Sequence, residues 1–203
     1  MLNIVLATGN AHKAEEFGRM LAARRLPVTV QSAKEFGGMP AVPEDTGSFV
    51  GNARQKAAAL RARVPASHWV MADDSGLECV ALGGEPGVET ANYAGPQAGD
   101  AANRAKLLAA LVEEKGAARA ARFVCHLLLL GPEGEEVHLL GECPGRIAER
   151  ERGDGGFGYD PLFIPAGETR SFAELDAAAK DRLSHRGRAF AALAEWLAQR
   201  KLA

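Results

Sequence analysis

The chain has no C-x-x-C pair. Its cysteines, Cys79, Cys125 and Cys143, stand far apart. That spacing supports neither a zinc knuckle nor a dithiol redox motif, and it predicts reduced thiols in a cytoplasmic protein. Long hydrophobic runs are also missing. The longest, about Phe123 to Leu130, is broken by His126 and falls far short of the roughly 20 residues a membrane helix needs. No membrane partner is therefore expected. Met1-Leu2-Asn3-Ile4 has no basic stretch before its apolar residues and no cleavage-like site soon after, so no signal peptide is expected. A basic excess is absent too. The formal net charge is -2, which argues against a general nucleic-acid binder and leaves room for a locally basic pocket. No internal repeat, disordered linker or Walker A string G-x-x-x-x-G-K-[ST] occurs.

What is present is ordinary for a globular protein. The 203 residues, 47% apolar and 25% charged, suffice for one good-sized core or two small lobes. Leu2 to Ala7 reads as a buried strand. A helix follows, with Ala14, Phe17, Gly18 and Leu21 spaced along one face. Val28 to Val30 suggests the next strand, so the opening is α/β. Thr46 or Ser48 is placed to cap a helix running to about Arg63, with Phe49, Ala53, Ala57 and Leu60 inward. Trp69 to Ala72 is a short apolar strand ending at Asp73-Asp74, beside a Ser75-Gly76 turn. A helix from about Asp100 to Glu114 would bury Ala101, the Arg104 stem, Leu107, Leu108 and Leu111. Arg122 to Leu130 and Val137 to Glu142 form a predicted hairpin, and Leu162 to Ile164 another strand. The last helix starts near Ser184 and buries Phe190, Leu193, Ala194 and Leu197. Early strand–helix alternation followed by a hairpin predicts a mixed sheet.

Separate segments carry chemistry. Thr8-Gly9-Asn10-Ala11-His12-Lys13 joins a strand to a helix start. Backbone N–H groups and the helix dipole there suit an anion, and Lys13 adds a point charge. A plain cap, with Asn10 capping and Lys13 in solvent, is the alternative. Glu44-Asp45-Thr46-Gly47 offers carboxylates suited to Mg²⁺, or merely a capping acid pair. Asn52 and Lys56 share the helix face behind it. Asp73 and Asp74, adjacent at a strand end, repel unless a cation or donors satisfy them; an Asx-turn is the plainer reading. The string Gly153-x-Gly155-x-x-Gly158 fails as a dinucleotide fingerprint, because no helix opens behind it and Pro161 follows. It leaves a flexible loop carrying Phe157 and Tyr159, whose rings suit base stacking or a core. Lys180, His185 and Arg186 follow. Cations in the first turn of the last helix oppose its dipole, which favours an acceptor-rich ligand over a solvated face. His12, His68, His126 and His138 show no metal-ligand spacing.

In this order the motifs resemble the inosine triphosphate pyrophosphatase family, also called Ham1-like. The match takes in Leu6-Ala7-Thr8-Gly9-Asn10 with Lys13 and Glu16, Glu44 to Gly47 with Asn52 and Lys56, Ala72 to Leu77, Gly84 to Val88, Gly155 to Pro161, Ala173 to Leu175, and Lys180 with Ser184 to Arg186. The resemblance implies an α/β fold with an elongated mixed β-sheet flanked by helices, and two lobes with an active-site cleft between them. It implies one domain over residues 1–203, a cytoplasmic homodimer, and Mg²⁺-dependent hydrolysis of ITP, dITP and XTP to the monophosphate and pyrophosphate. Asp74 matches the proton acceptor and a metal ligand, and Glu44 the second metal ligand. Thr8, Gly9, Asn10, Ala11, His12, Lys13, Ser75, Phe157, Gly158, Tyr159, Asp160, Lys180, His185 and Arg186 match substrate contacts. One departure is Asn92, where bacterial members usually carry Arg. Other readings are a pyrophosphatase for other modified nucleotides and a non-catalytic nucleotide-binding regulator.

Overall fold

The structure is a computed structural model that describes residues 2–24 and 26–200. Its centre is a six-stranded sheet in the order β2-β1-β3-β4-β5-β6. The strands are β1 (Leu2–Ala7), β2 (Val28–Ser32), β3 (Trp69–Cys79), β4 (Ala120–Leu130), β5 (Glu136–Ile147) and β6 (Phe163–Pro165). β1 pairs in parallel with β2 and β3, whereas β5 and β6 are antiparallel, so the sheet is mixed as expected. The helices are α1 (Ala11–Arg24), α2 (Phe49–Arg61), α3 (Gly99–Ala110), α4 (Ala177–Leu183) and α5 (His185–Gln199).

The chain divides into two compact units. One holds residues 1–74, 125–140 and 189–203, the other 75–124 and 141–188. In the first unit Phe17 and Met20 of α1 pack with Phe190, Leu193 and Leu197 of α5 on strand residues Ile4, Leu6, Met71 and Leu127. Ala53, Ala57 and Leu60 of α2 pack with Val5, Val70, Ala72 and Leu128. Neighbouring strand residues thus serve two helical layers, as the two-residue side-chain period requires. Burying each Phe or Leu contributes about 1.5–3 kcal/mol. In the second unit Phe123, Phe163 and Phe172 form an aromatic cluster, with centroids 4.7–6.2 Å apart.

Several sequence expectations change. α1 buries Glu16, Phe17 and Met20, while Ala14 and Gly18 are exposed. Small residues carry too little apolar surface to fix a helix face, and the large side chains decide it. α3 ends at Ala110 and buries Asn103 and Leu107, with Ala101 exposed. The expected Ser75-Gly76 turn does not exist. β3 sits between β1 and β4, and its backbone stays extended as far as Cys79. The short helix α4 was not foreseen. Ser184 follows it in extended conformation and caps α5 by accepting from the Gly187 N–H at 3.0 Å. A Cβ at residue 187 would collide with the Asp181 carbonyl, so only glycine allows so close a junction.

A further buried group had no sequence signal. Arg119, 5% exposed, donates to the carbonyls of Ile147 (2.8 Å), Leu111 (2.7 Å), Glu114 (3.3 Å) and Ala148 (2.8 Å). Leaving one buried acceptor unsatisfied costs about 1–3 kcal/mol. Arg119→Met should therefore lower unfolding free energy by about 3 kcal/mol or more, read from urea titration. A loss below about 1 kcal/mol would show that water replaces the guanidinium at little cost.

Candidate active site

In the first unit the parallel register sets Ala7 opposite Ala72. The chain leaving the carboxyl end of β1, the kind of strand end where α/β proteins bind ligands, therefore runs beside Asp73 and Asp74 in the middle of β3. Thr8 Oγ1 accepts from the Asn10 N–H, and Asn10 Oδ1 accepts from the Lys13 N–H, both at 3.1 Å. Asn10 is therefore the cap of α1. Ala11 and His12 lie exposed in the first turn. Lys13 does not project freely into solvent: its Nζ is 2.5 Å from Asp73 Oδ1. Asp73 Oδ2 also accepts from Cys125 Sγ at 3.4 Å.

Asp74, next along β3, has its own partners. Lys56 Nζ lies 2.6 Å from Oδ1, and Asn52 Nδ2 lies 3.3 Å from Oδ2. Asn52 Oδ1 in turn accepts from Thr46 Oγ1 at 2.7 Å. Each aspartate thus has a separate lysine, which resolves the repulsion expected between them. Lys56 and Asn52, spaced i and i+4 on α2, reach one carboxylate as predicted from their shared face. Lys56 Nζ is also 2.6 Å from Glu44 Oε2. Glu44 has φ 51°, in the left-handed region that non-glycine residues rarely occupy and that clusters at functional sites. Burial drives the Asp74 carboxyl above its usual range, against the pull of Lys56 and Lys13. Burial alone would lower the Lys56 ammonium, but Asp74 and Glu44 outweigh it and hold it raised.

The donor set fits a divalent ion. Glu44 and Asp74 already converge on one cationic nitrogen, both at 2.6 Å, and hard oxygen ligands of this kind suit Mg²⁺, which completes its shell with water and phosphate. Among the described residues no group of three or more His, Cys, Asp or Glu is arranged to hold a metal, so the protein would supply only part of the shell.

In the second unit Arg186 Nη2 donates to Ser75 Oγ at 2.9 Å. The half-buried Phe157 ring has Lys180 Nζ 4.8 Å from its centroid and Arg186 Cζ 5.8 Å away, both within cation–π range. Asp160 is buried and accepts from the Phe157 N–H at 2.8 Å and from Lys180 Nζ at 2.6 Å. It fixes the aromatic loop and the lysine together. Gly158, φ 60°, donates to Asp100 Oδ2 at 2.7 Å and accepts from Arg104 Nη1 at 2.9 Å. Asp100 and Arg104, one turn apart on α3, were not read as site residues; only their i, i+4 spacing hinted at a common target. Tyr159 is 2% exposed, its hydroxyl donates to the Thr90 carbonyl at 3.0 Å, and burial raises its pKa. Its ring belongs to the core of this unit. His185 stacks on Phe123, with centroids 4.6 Å apart and planes at 11°. Asn92 lines a separate cavity with Glu85, Glu89, Tyr93 and Lys106, and none of the predicted site residues lines it.

Known proteins resemble the chain over almost its whole length. The dITP/XTP pyrophosphatase of Opitutus terrae is 53% identical over 199 residues, covering 96% of this chain and 98% of that protein. The dITP/XTP pyrophosphatase of Syntrophobacter fumaroxidans is 50% identical, covering 92% and 78%. The solved structure of a HAM1 protein from Coxiella burnetii superposes with TM-score 0.87 at 36% identity, covering 98% of this chain and 100% of that one. The model of the Ham1 family matches residues 4–196, a span that contains the Thr8 loop, both aspartates, the Phe157 loop and the start of α5, and the chain belongs to the Ham1 family.

Proposed function

We propose that the protein is a nucleoside triphosphate pyrophosphatase that hydrolyses dITP, ITP and XTP to the monophosphate and pyrophosphate, acting as one domain over residues 1–203. The observation that carries the reading is Asp74: a buried carboxylate held by Lys56 and Asn52, raised by desolvation, in a chain whose relatives are dITP/XTP pyrophosphatases. A base poised above the ordinary carboxylate range suits proton transfer from water. In the reaction Asp74 takes the proton of the attacking water and the bond between the α- and β-phosphates breaks. Lys13, Lys56 and the amides of the Thr8–Lys13 segment stabilise the charge that develops on the phosphate oxygens. Mg²⁺, when bound at Glu44 and Asp74, supplies charge neutralisation to the triphosphate.

Phe157 and Arg186, with Ser75, Gly158, Lys180 and His185 beside them, handle the base. A 6-oxo purine accepts hydrogen bonds there, whereas adenine presents a 6-amino donor. Sites built of donors reject the mispaired group by about 10⁴-fold or more when buried. Tyr159 and Asp160 contribute by holding the loop. The reading further assigns the enzyme to the cytoplasm, where the triphosphate pool lies, and to a homodimer, which light scattering tests. No helix among the described residues is long and apolar enough to cross a membrane.

A nucleotide panel with pyrophosphate detection tests the whole reading. ITP, dITP and XTP should release pyrophosphate far faster than ATP; binding without product would instead identify a regulator. Asp74→Asn should nearly abolish turnover while nucleotide binding stays measurable, because the amide keeps the shape and loses the base. Turnover within about threefold of the parent, a barrier change of under 1 kcal/mol, would remove Asp74 from the chemistry.

Activity should vanish in EDTA, return with Mg²⁺, and need more Mg²⁺ in Glu44→Gln. Full activity in chelator would end the metal assignment. Phe157→Ala should weaken ITP binding by about 1–3 kcal/mol and leave inorganic triphosphate unaffected. Arg186→Ala should narrow the ITP to ATP ratio of kcat/KM, whereas Lys13→Ala should lower both alike. Equal losses from both substitutions would make Arg186 a phosphate ligand.

A further inference from the structure

A histidine pair on the hairpin of the first unit lies outside the residues used above. His126 on β4 and His138 on β5 face each other, with Nε2 of His126 3.2 Å from Nδ1 of His138 and ring planes at 69°. Two imidazoles on a tetrahedral metal, each at 2.0–2.1 Å, have nitrogens about 3.3 Å apart. The second nitrogen of His138 is already engaged, with Nε2 3.1 Å from Glu136 Oε2. That bond fixes the proton on Nε2 and turns the Nδ1 lone pair toward His126. Glu136 is itself held by Arg54, with Nε 2.9 and 3.0 Å from the carboxylate oxygens and Nη2 2.7 Å from Oε2. A ligand histidine whose other nitrogen is anchored by a carboxylate is the usual outer support of a metal site. Both histidines are accessible, His126 partly and His138 with 37% of its side chain. Burial first, then His138 and Arg54, hold the His126 imidazole below its ordinary value, so the neutral, ligating form prevails at neutral pH.

We propose that His126 and His138 form a chelating pair for a divalent transition ion that prefers imidazole, such as Zn²⁺, Ni²⁺ or Cu²⁺, supported by Glu136 and Arg54. On binding, the ion takes the place of the proton that His126 Nε2 shares with His138; that proton passes to solvent and His126 takes one up at Nδ1, so both ligands stay neutral imidazoles and no net proton is released. No third His, Cys, Asp or Glu ligand is in place among the described residues, so water completes the shell. Affinity should follow the order Zn²⁺ or Ni²⁺ below Cu²⁺, and Mg²⁺, a hard cation, should not compete.

The test is calorimetric titration of the metal-stripped full chain with ZnCl₂ and NiCl₂ in excess MgCl₂. One ion should bind per chain. His126→Asn and His138→Asn should each weaken binding by at least about tenfold, and Glu136→Gln by about 10–100-fold, with melting temperatures near the parent's. His126→Gln provides a second variant should His126→Asn fold poorly. No binding by the parent, binding abolished by Mg²⁺, or equal affinity in the histidine variants would overturn the proposal and leave a simple hydrogen bond. The outcome is independent of nucleotide hydrolysis.

Discussion

The first unit depends on two adjacent aspartates lying on one buried strand. Side chains alternate along a strand, so Asp73 and Asp74 point opposite ways. Each meets a different lysine, Lys13 from α1 and Lys56 from α2. Two ionised carboxylates in such a place would be prohibitive without those cations, because an unpaired buried charge costs several kcal/mol. The helices can supply them only if the sheet holds its register. Ala7 opposite Ala72 sets α1's first turn beside Asp73, and the α2 face that packs Ala53 and Ala57 into the core also carries Asn52 and Lys56. Core packing and site electrostatics are therefore one constraint. A shift of one residue in β3 would send both carboxylates to the wrong lysines.

The second unit solves a different problem. Its aromatic ring sits on a loop, where glycines permit positive φ but supply no rigidity. Rigidity comes from polar contacts. Asp160 grips the Phe157 amide and Lys180, and Asp100 with Arg104 holds both ends of Gly158. A ring fixed in this way loses little freedom on meeting a flat ligand, which is how preorganisation raises affinity. Lys180, satisfied by Asp160, keeps its charge near the ring without standing as an unpaired buried cation.

Much of the fold was readable because long periodic segments leave little choice. β1, α2 and α5 came through with most of their inward residues, since Ala53, Ala57 and Leu60, or Phe190, Leu193 and Leu197, repeat at the helical period, although Phe49 and Ala194, also expected inward, are only half-buried. α1 was misjudged because Ala14 and Gly18 fit the spacing without supplying surface to bury. The Ser75-Gly76 turn was wrong for a related reason. Glycine and serine punctuate chains in isolation, but pairing on both sides overrides local preference in a central strand. Individual motifs drew attention to single segments. They did not reveal Asp73 as Lys13's partner or Asp100 and Arg104 as the clamp on Gly158, because such pairings join distant segments.

The strain at Glu44 bears on how the carboxylate pair is built. A left-handed backbone at a glutamate costs on the order of 1–3 kcal/mol, which asparagine or glycine would largely avoid. Either replacement would remove the carboxylate that meets Lys56 beside Asp74. The fold thus keeps a costly conformation where a cheaper residue would lose the charge. Asp74 tells the same story in electrostatic terms, being raised by a burial that its lysines only partly offset. Both residues are locally unfavourable in the same small region, and both belong to the pair of acids that converges on one cation. Local rules tend to fail together at functional sites, and here backbone strain marks Glu44 and desolvation marks Asp74, two carboxylates that meet at the Lys56 ammonium.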